Sequence, residues 1–157
     1  SRGLGDVYKR QVLELVTAYI QREQVALTVG LESRPLTVCA LPGHLEDVWM
    51  NLLLNARYAV RGVPDAAILI HSWAADGYAL VTVADNGPGI PIEHRAHLFD
   101  AFFTTKPAGE GTGLGLYICK QIVDRVGGTI MLDDDPTAPG ARFTVRLPLA
   151  DIPLPGE

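Results

Sequence analysis

Asn51 and Asn55 stand four residues apart in the run Asn-Leu-Leu-Leu-Asn-Ala, a spacing that stacks two side chains on one side of a helix. A carboxamide oxygen is a neutral, hard ligand. Magnesium held by phosphates takes such ligands while keeping several of its waters, so the pair suits the edge of a nucleotide pocket. Two asparagines on an ordinary polar flank are the plain alternative, although asparagine is a mediocre helix former in mid-helix.

Asp85 ends an apolar alternating segment in phase with Val81 and Val83, which points its carboxylate toward the same buried side as the valines. Asn-Gly-Pro-Gly-Ile follows at 86–90. Gly87 and Gly89 let backbone bend tightly and a flat ligand come close, and Ile90 adds an apolar wall. A carboxylate accepting from an exocyclic amine beside bare backbone makes a sensible purine site. An Asx turn closing the strand reads the same residues without a ligand.

Gly109, Gly111, Gly113 and Gly115 alternate in Gly-Glu-Gly-Thr-Gly-Leu-Gly-Leu and run into a helical segment. Unpaired N–H groups and the positive end of a helix dipole cradle phosphate there, whereas a plain flexible loop needs no such alternation. The segment is neither a P-loop nor G-x-G-x-x-G, because the Gly-Lys-Ser/Thr and the last glycine are missing. Phe99, Phe102 and Phe103, then Thr104-Thr105-Lys106, supply apolar anchors and one cation for a lid that closes over ligand. A short helical turn with a solvated lysine is the alternative. His44, His71, His94 and His97 do not fall at metal-ligand spacing, and no Gly-x-Ser-x-Gly elbow occurs.

The elements that must position these residues are legible from periodicity. Residues 12–24 read as an amphipathic helix, and 25–31 with 36–41 as a hairpin. Residues 45–60 carry the clearest apolar helical stripe. Strands at 67–74 and 78–85 are joined by Asp76-Gly77, a hairpin signal. The chain from 86 to 113 reads mostly as loop. A helix at 114–126 and strands at 129–133 and 141–147 complete the order. Three helices interleaved with about six strands predict an α/β (α+β) two-layer sandwich, a mixed, mostly antiparallel sheet with helices on one face. The domain is read as 12–148, with a leader at 1–11 and a tail at 149–157.

The whole-chain properties exclude several classes. The 157 residues fit one domain. A net charge of −5 argues against a broad nucleic-acid surface. No apolar run approaches the roughly 20 residues of a membrane helix, and nothing resembles an export signal. Two cysteines, Cys39 and Cys119, among apolar neighbours suit small buried side chains in a reducing compartment and exclude a disulfide or zinc framework. A cytoplasmic module without direct membrane contact is expected, leaving attachment of a parent protein open.

Singly these signals are weak, but NLLLNA at 51–56, DNGPGI at 85–90, LFDAFFTTK at 98–106 and GEGTGLGL at 109–116 occur together and in order. The chain resembles the catalytic ATP-binding domain of bacterial sensor histidine kinases, in the superfamily that shares the Bergerat nucleotide fold with gyrase, Hsp90 and MutL. The resemblance covers residues 12–148. It implies ATP as phosphoryl donor with Mg²⁺ on Asn55, and Asn51 assisting at the phosphates or metal. It also implies Asp85 on the adenine amine, and Gly87, Gly89 and Ile90 lining the base. Lys106, Gly111, Thr112, Gly113, Leu114 and Gly115 would serve the phosphates, and 91–112 would be the lid.

Relatives that hydrolyse ATP carry a glutamate in the place of Asn51, so asparagine there fits a kinase. The family presents its phosphoacceptor as H-E-x-x-x-P on a dimeric helical hairpin, which none of the four histidines matches. The resemblance therefore implies a histidine-bearing dimerisation domain as direct partner and a response regulator as indirect one, with a hydrolase or a sensor that transfers nothing as the alternatives. Two departures stand out. Tyr58 occupies a place where many members have Lys or Arg, with Arg57 and Arg61 nearby, and Ala101 replaces a common proline.

Overall fold

The computed structural model describes residues 25–150, apart from 34–35, 134 and 136. The helix expected at 12–24, the leader at 1–11 and most of the tail lie outside these residues. Five strands form one sheet: β1 (Ala26–Gly30), β2 (Ala67–Ala75), β3 (Tyr78–Asp85), β4 (Thr129–Leu132) and β5 (Arg142–Pro148), in the order β1-β2-β3-β5-β4. Only β1 runs parallel to its neighbour, so the sheet is mixed and mostly antiparallel. Helices α1 (Pro42–Ala59), α2 (Ile92–Arg95) and α3 (Gly115–Arg125) connect the strands.

The apolar stripe of α1 is the reason for the layer. Leu45, Val48, Trp49, Leu52, Leu53 and Ala56, with Val60 just past its end, are all buried. They meet the inward residues of the sheet, Ile68 and Ile70 on β2, Val81 and Val83 on β3, and Phe143, Val145 and Leu147 on β5. Cys119, Ile122 and Val123 of α3 join the same core. Truncating a side chain as enclosed as Leu52 to alanine costs about 2–5 kcal/mol in such surroundings.

The hairpin at 67–85 forms as its turn signal requires. Ala75 pairs with Tyr78 across the turn, and both turn residues take positive φ, 52° at Asp76 and 80° at Gly77. The two-residue primed turn matches the twist of the flanking strands.

The hairpin expected from 25–31 and 36–41 does not form. β1 lies parallel to β2, with Ala26 opposite Ala67 and Gly30 opposite His71. A parallel neighbour requires a crossover, usually a helix, and α1 lies in the connection between β1 and β2. The segment at 36–41 instead follows the far edge of the chain. Val38 bridges Leu149, and the Ala150 N–H donates to the Thr37 carbonyl at 2.8 Å. Pairing thus reaches Leu149 and Ala150, and among the described residues the sheet has five strands where about six were expected.

Cys39, expected to be buried, is exposed in this segment, whereas Cys119 is buried. Among the described residues no helix is long and apolar enough to cross a membrane.

Candidate functional site

The C-terminal end of β3, the inner edge of α1, the N-terminus of α3 and the glycine-rich segment between 86 and 115 enclose a cavity of about 570 Å³. That volume lies within the range of small-molecule sites, about 300–1,000 Å³. Asn51, Asn55, Asp85, Gly89, Ile90, Lys106, Gly111, Thr112, Gly113 and Gly115 all line it. Gly87 and Leu114 do not, and their positions show different work.

Asp85 is 9% exposed, and backbone holds it in place. Its Oδ1 accepts from the Gly87 N–H at 2.9 Å and the Ala141 N–H at 3.3 Å, while its own N–H donates to the Ala141 carbonyl at 2.9 Å. The Asx turn is therefore real, and it fixes the carboxylate that the cavity uses. Both amides fall on Oδ1, which leaves Oδ2 for a donor inside the cavity. Burial pushes the carboxyl up from its ordinary value, and the Gly87 and Ala141 amides pull it back down.

Gly87 sits behind this carboxylate. A Cβ there would come within 2.5 Å of the Ala59 carbonyl oxygen, so glycine lets the strand end pack on α1. Asn86 ties the same turn to β2. Its Oδ1 accepts from the Ala67 N–H at 2.8 Å, and its Nδ2 donates to the Asp65 carbonyl at 2.8 Å.

Gly140 and Ala141 were not picked out by residue type. Gly140 has φ 76°, and a Cβ there would run into the Asp85 carbonyl. The Pro139-Gly140 pair just before an alternating strand was the available signal, but its pairing with Asp85 spans 56 residues. Opposite this polar corner, Ile90, Leu98, Phe103 and Phe143 give the cavity an apolar wall. The Phe99 ring stands edge-on to Phe143 at 6.3 Å, and the Phe103 ring lies 5.6 Å from His94 and 6.0 Å from His97. Phe102 is not an anchor as expected. It is 74% exposed, with φ 68°, and its N–H donates to the Gly113 carbonyl at 2.8 Å. The contact closes the base of the loop, and only glycine fits at 113, because a Cβ would strike the Phe102 backbone.

The other end of the cavity is built from side chains. The Asn51 Nδ2 donates to the Asp47 carbonyl at 2.8 Å, which turns its Oδ1 toward Gly115, where a Cβ would sit 3.0 Å from that oxygen. The first turn of α3 holds no acidic residue, and Leu114, at its N-cap, makes no side-chain cap bond. Instead the Leu114 N–H donates to Thr112 Oγ1 at 3.2 Å, so Leu114 shapes the entry to the helix. The N–H groups beyond it face an anion-friendly end.

Asn55 Oδ1 accepts from Lys106 Nζ at 3.3 Å. A carboxamide oxygen already serving a cation inside the cavity fits a hard metal ion held together with phosphates. Among the described residues, no three His, Cys, Asp or Glu side chains come together for a metal. Burial and the neighbouring Arg61 lower the Lys106 ammonium from its usual value, and Glu110 raises it.

The comparisons with known proteins agree with this geometry. The family profile described as "Histidine kinase-, DNA gyrase B-, and HSP90-like ATPase" matches residues 40–151. Sensor histidine kinase RcsC of Escherichia coli K12 is 34% identical over 155 residues, covering 93% of this chain and 16% of RcsC. The chain therefore spans about a sixth of that relative's length.

A nucleotide-free catalytic domain of histidine kinase ThkA superposes with a TM-score of 0.78 at 31% identity, over 90% of each chain. Full-length ShkA in complex with AMPPNP gives 0.78 at 28% identity, covering 96% of this chain and 31% of ShkA. With the carboxylate corner, the glycine loop and the paired asparagines all on one cavity, the chain belongs to the histidine kinase-, DNA gyrase B- and HSP90-like ATPase family, as an ATP-binding catalytic domain of the sensor histidine kinase type.

Proposed function

We propose that this chain binds ATP with Mg²⁺ and donates the γ-phosphoryl group to a histidine on a dimerisation domain of a longer parent protein, in a relay that ends on a response regulator. The observation that carries the reading is the pairing of a purine corner at Asp85 with an anion-binding end at Asn51, Gly111, Gly113 and Gly115 in one cavity. The ShkA complex with AMPPNP supports the choice of nucleotide.

Asp85 Oδ2 would accept from the adenine amine, and Ile90 with Leu98 and Phe143 would cover the ring. The N–H groups at the start of α3 and the Lys106 ammonium would meet the phosphates, with Asn55, and Asn51 beside it, as oxygen ligands for the metal. Bound Mg²⁺ would offset phosphate charge. In the transfer, the bond from the γ-phosphorus to the bridging oxygen breaks as a bond to the acceptor imidazole nitrogen forms, leaving ADP. The chain contributes positioning and charge.

Hydrolysis is the weaker reading because water needs a base. The carboxylates on the cavity are Asp85, turned to the base end, and Glu110, bonded to Tyr58. Asn51 takes no proton from water. A cytoplasmic setting belongs to the proposal, since the reaction consumes ATP.

Calorimetry with ADP and a non-hydrolysable ATP analogue, in Mg²⁺ and in EDTA, tests the binding. Magnesium-dependent affinity is expected, and absence of binding in both buffers refutes the assignment. Transfer of labelled phosphoryl to a cognate acceptor hairpin tests the rest, and stable binding without transfer would favour a sensing module.

A further inference from the structure

Tyr58 meets the glycine-rich loop at two points, Lys106 and Glu110, and Arg61 beside them. Lys106 Nζ lies 4.6 Å from the centre of its ring. The Arg61 guanidinium carbon, just beyond the end of α1, lies 5.0 Å from the same centre. The Tyr58 hydroxyl donates to Glu110 Oε2 at 3.4 Å. Lys106 and Glu110 flank a turn in which the Glu110 N–H donates to the Pro107 carbonyl at 3.0 Å. Gly111 leaves room for the lysine stem, since a Cβ there would sit 2.9 Å from Lys106 Cδ. The loop has no helix or strand of its own between 104 and 112. Its base is tied at Phe102 and Gly113, and its tip is tied at Tyr58.

Lys106 and Arg61 both lie against this ring and repel each other, which is unfavourable unless negative charge is near. Glu110 gives part of it. An anion at Asn55 would give more, and Lys106 is already placed there by its bond to Asn55. We infer that Tyr58 is a positioning residue for phosphate recognition: its ring and hydroxyl hold the loop tip so that Lys106 stands at the metal-and-phosphate end of the cavity. The inference rests on the nucleotide reading above. It makes lid order and phosphate affinity one event, because the cation for this end comes from the loop and helix α1 contributes the seat.

The test compares AMPPNP with adenosine, which lacks the phosphates, on the whole chain in Mg²⁺. Tyr58→Ala is expected to weaken AMPPNP about threefold to tenfold, the scale of a cation–π contact with partial desolvation, and to leave adenosine unchanged. Tyr58→Phe keeps the ring and is expected to recover most of the loss. Lys106→Met is expected to reproduce the Tyr58→Ala loss, and the double variant to add little to either.

Equal weakening of adenosine and AMPPNP by Tyr58→Ala would mean a merely structural role and overturn the inference, as would unchanged AMPPNP affinity or an additive double variant. If the unaltered protein binds neither ligand, the nucleotide reading itself falls and takes the inference with it. Binding by the unaltered protein with no effect at Tyr58 removes the inference alone.

Discussion

At one end of the cavity Asp85, the last residue of β3, is fixed by the backbone amides of Gly87 and Ala141, which adjoin the ordered strands. At the other, Lys106 is fixed by an asparagine oxygen and an aromatic face, on a loop without regular structure. The first end is present whether or not a ligand is, because moving Asp85 means unpairing β3 from the segment before β5. The second depends on weak side-chain contacts, each worth about 1 kcal/mol or less when exposed. In the proposed reading a nucleotide would meet a rigid base site and a phosphate site that must be held in place, which is the division a closing lid requires.

The sharpest way to break the contrast is at Gly140. With φ 76° and the Asp85 carbonyl in the path of a Cβ, Gly140→Ala is expected to cost on the order of 3 kcal/mol of stability and to abolish detectable nucleotide binding. Thermal melts and calorimetry check both, and a variant that melts and binds normally would show the base end to be softer than argued.

Asp85→Asn can keep its one oxygen on the Gly87 and Ala141 amides, but it then presents the cavity with an NH2 donor where the carboxylate presented an acceptor. An ATP analogue is expected to bind about 10- to 100-fold more weakly, the range of a hydrogen bond to a charged group, with a GTP analogue little changed. Equal losses for both purines would remove Asp85 from base selection. Asn55→Ala acts at the soft end, with about a tenfold loss of analogue affinity in Mg²⁺ and a much smaller one in EDTA, measured by the same titrations.

Proton linkage separates the two ends further. Asp85 is raised by burial from its ordinary value of 3.8, so the folded chain keeps that proton to higher pH than the unfolded one. Stability from this group is present in full below about 3.8 and is lost as pH rises through the folded value. Adenine binding runs the opposite way and is lost on acidification sooner than an exposed carboxylate would allow. A pH series of analogue affinity for the protein and for Asp85→Asn reads this directly, the variant being flat where the protein is not.

The smallest effect is expected on the loop itself. Nucleotide with Mg²⁺ should slow proteolysis within 91–112 a fewfold, and identical cleavage rates with and without analogue would remove the lid assignment.

Much of the fold was legible because its signals are local. The stripe from Leu45 to Val60 is a helical period, Asp76-Gly77 is a two-residue turn, and the phase of Val81, Val83 and Asp85 is a strand period. All three appear in the structure as read. The hairpin at 25–41 failed because alternation names a strand without naming its neighbour, and β1 pairs in parallel with β2 across a helical crossover. Cys39 was misread for the same reason, being apolar in its surroundings along the chain and exposed in space. Phe102 followed its chemistry into an anchor role, but a left-handed backbone at the loop base turned it outward.

By itself the sequence determined which residue types line the cavity, Asn51, Asn55, Asp85 and the alternating glycines, because their spacing relative to helix and strand periods fixes the side they face. Only the tertiary structure decided what holds them. Ala141 reaches Asp85 across 56 residues, with Gly140 beside it, and Lys106 reaches Asn55 and Tyr58 across about 50. Contacts at such separations follow from how the helix layer packs on the sheet, a property of the whole core that no local period encodes.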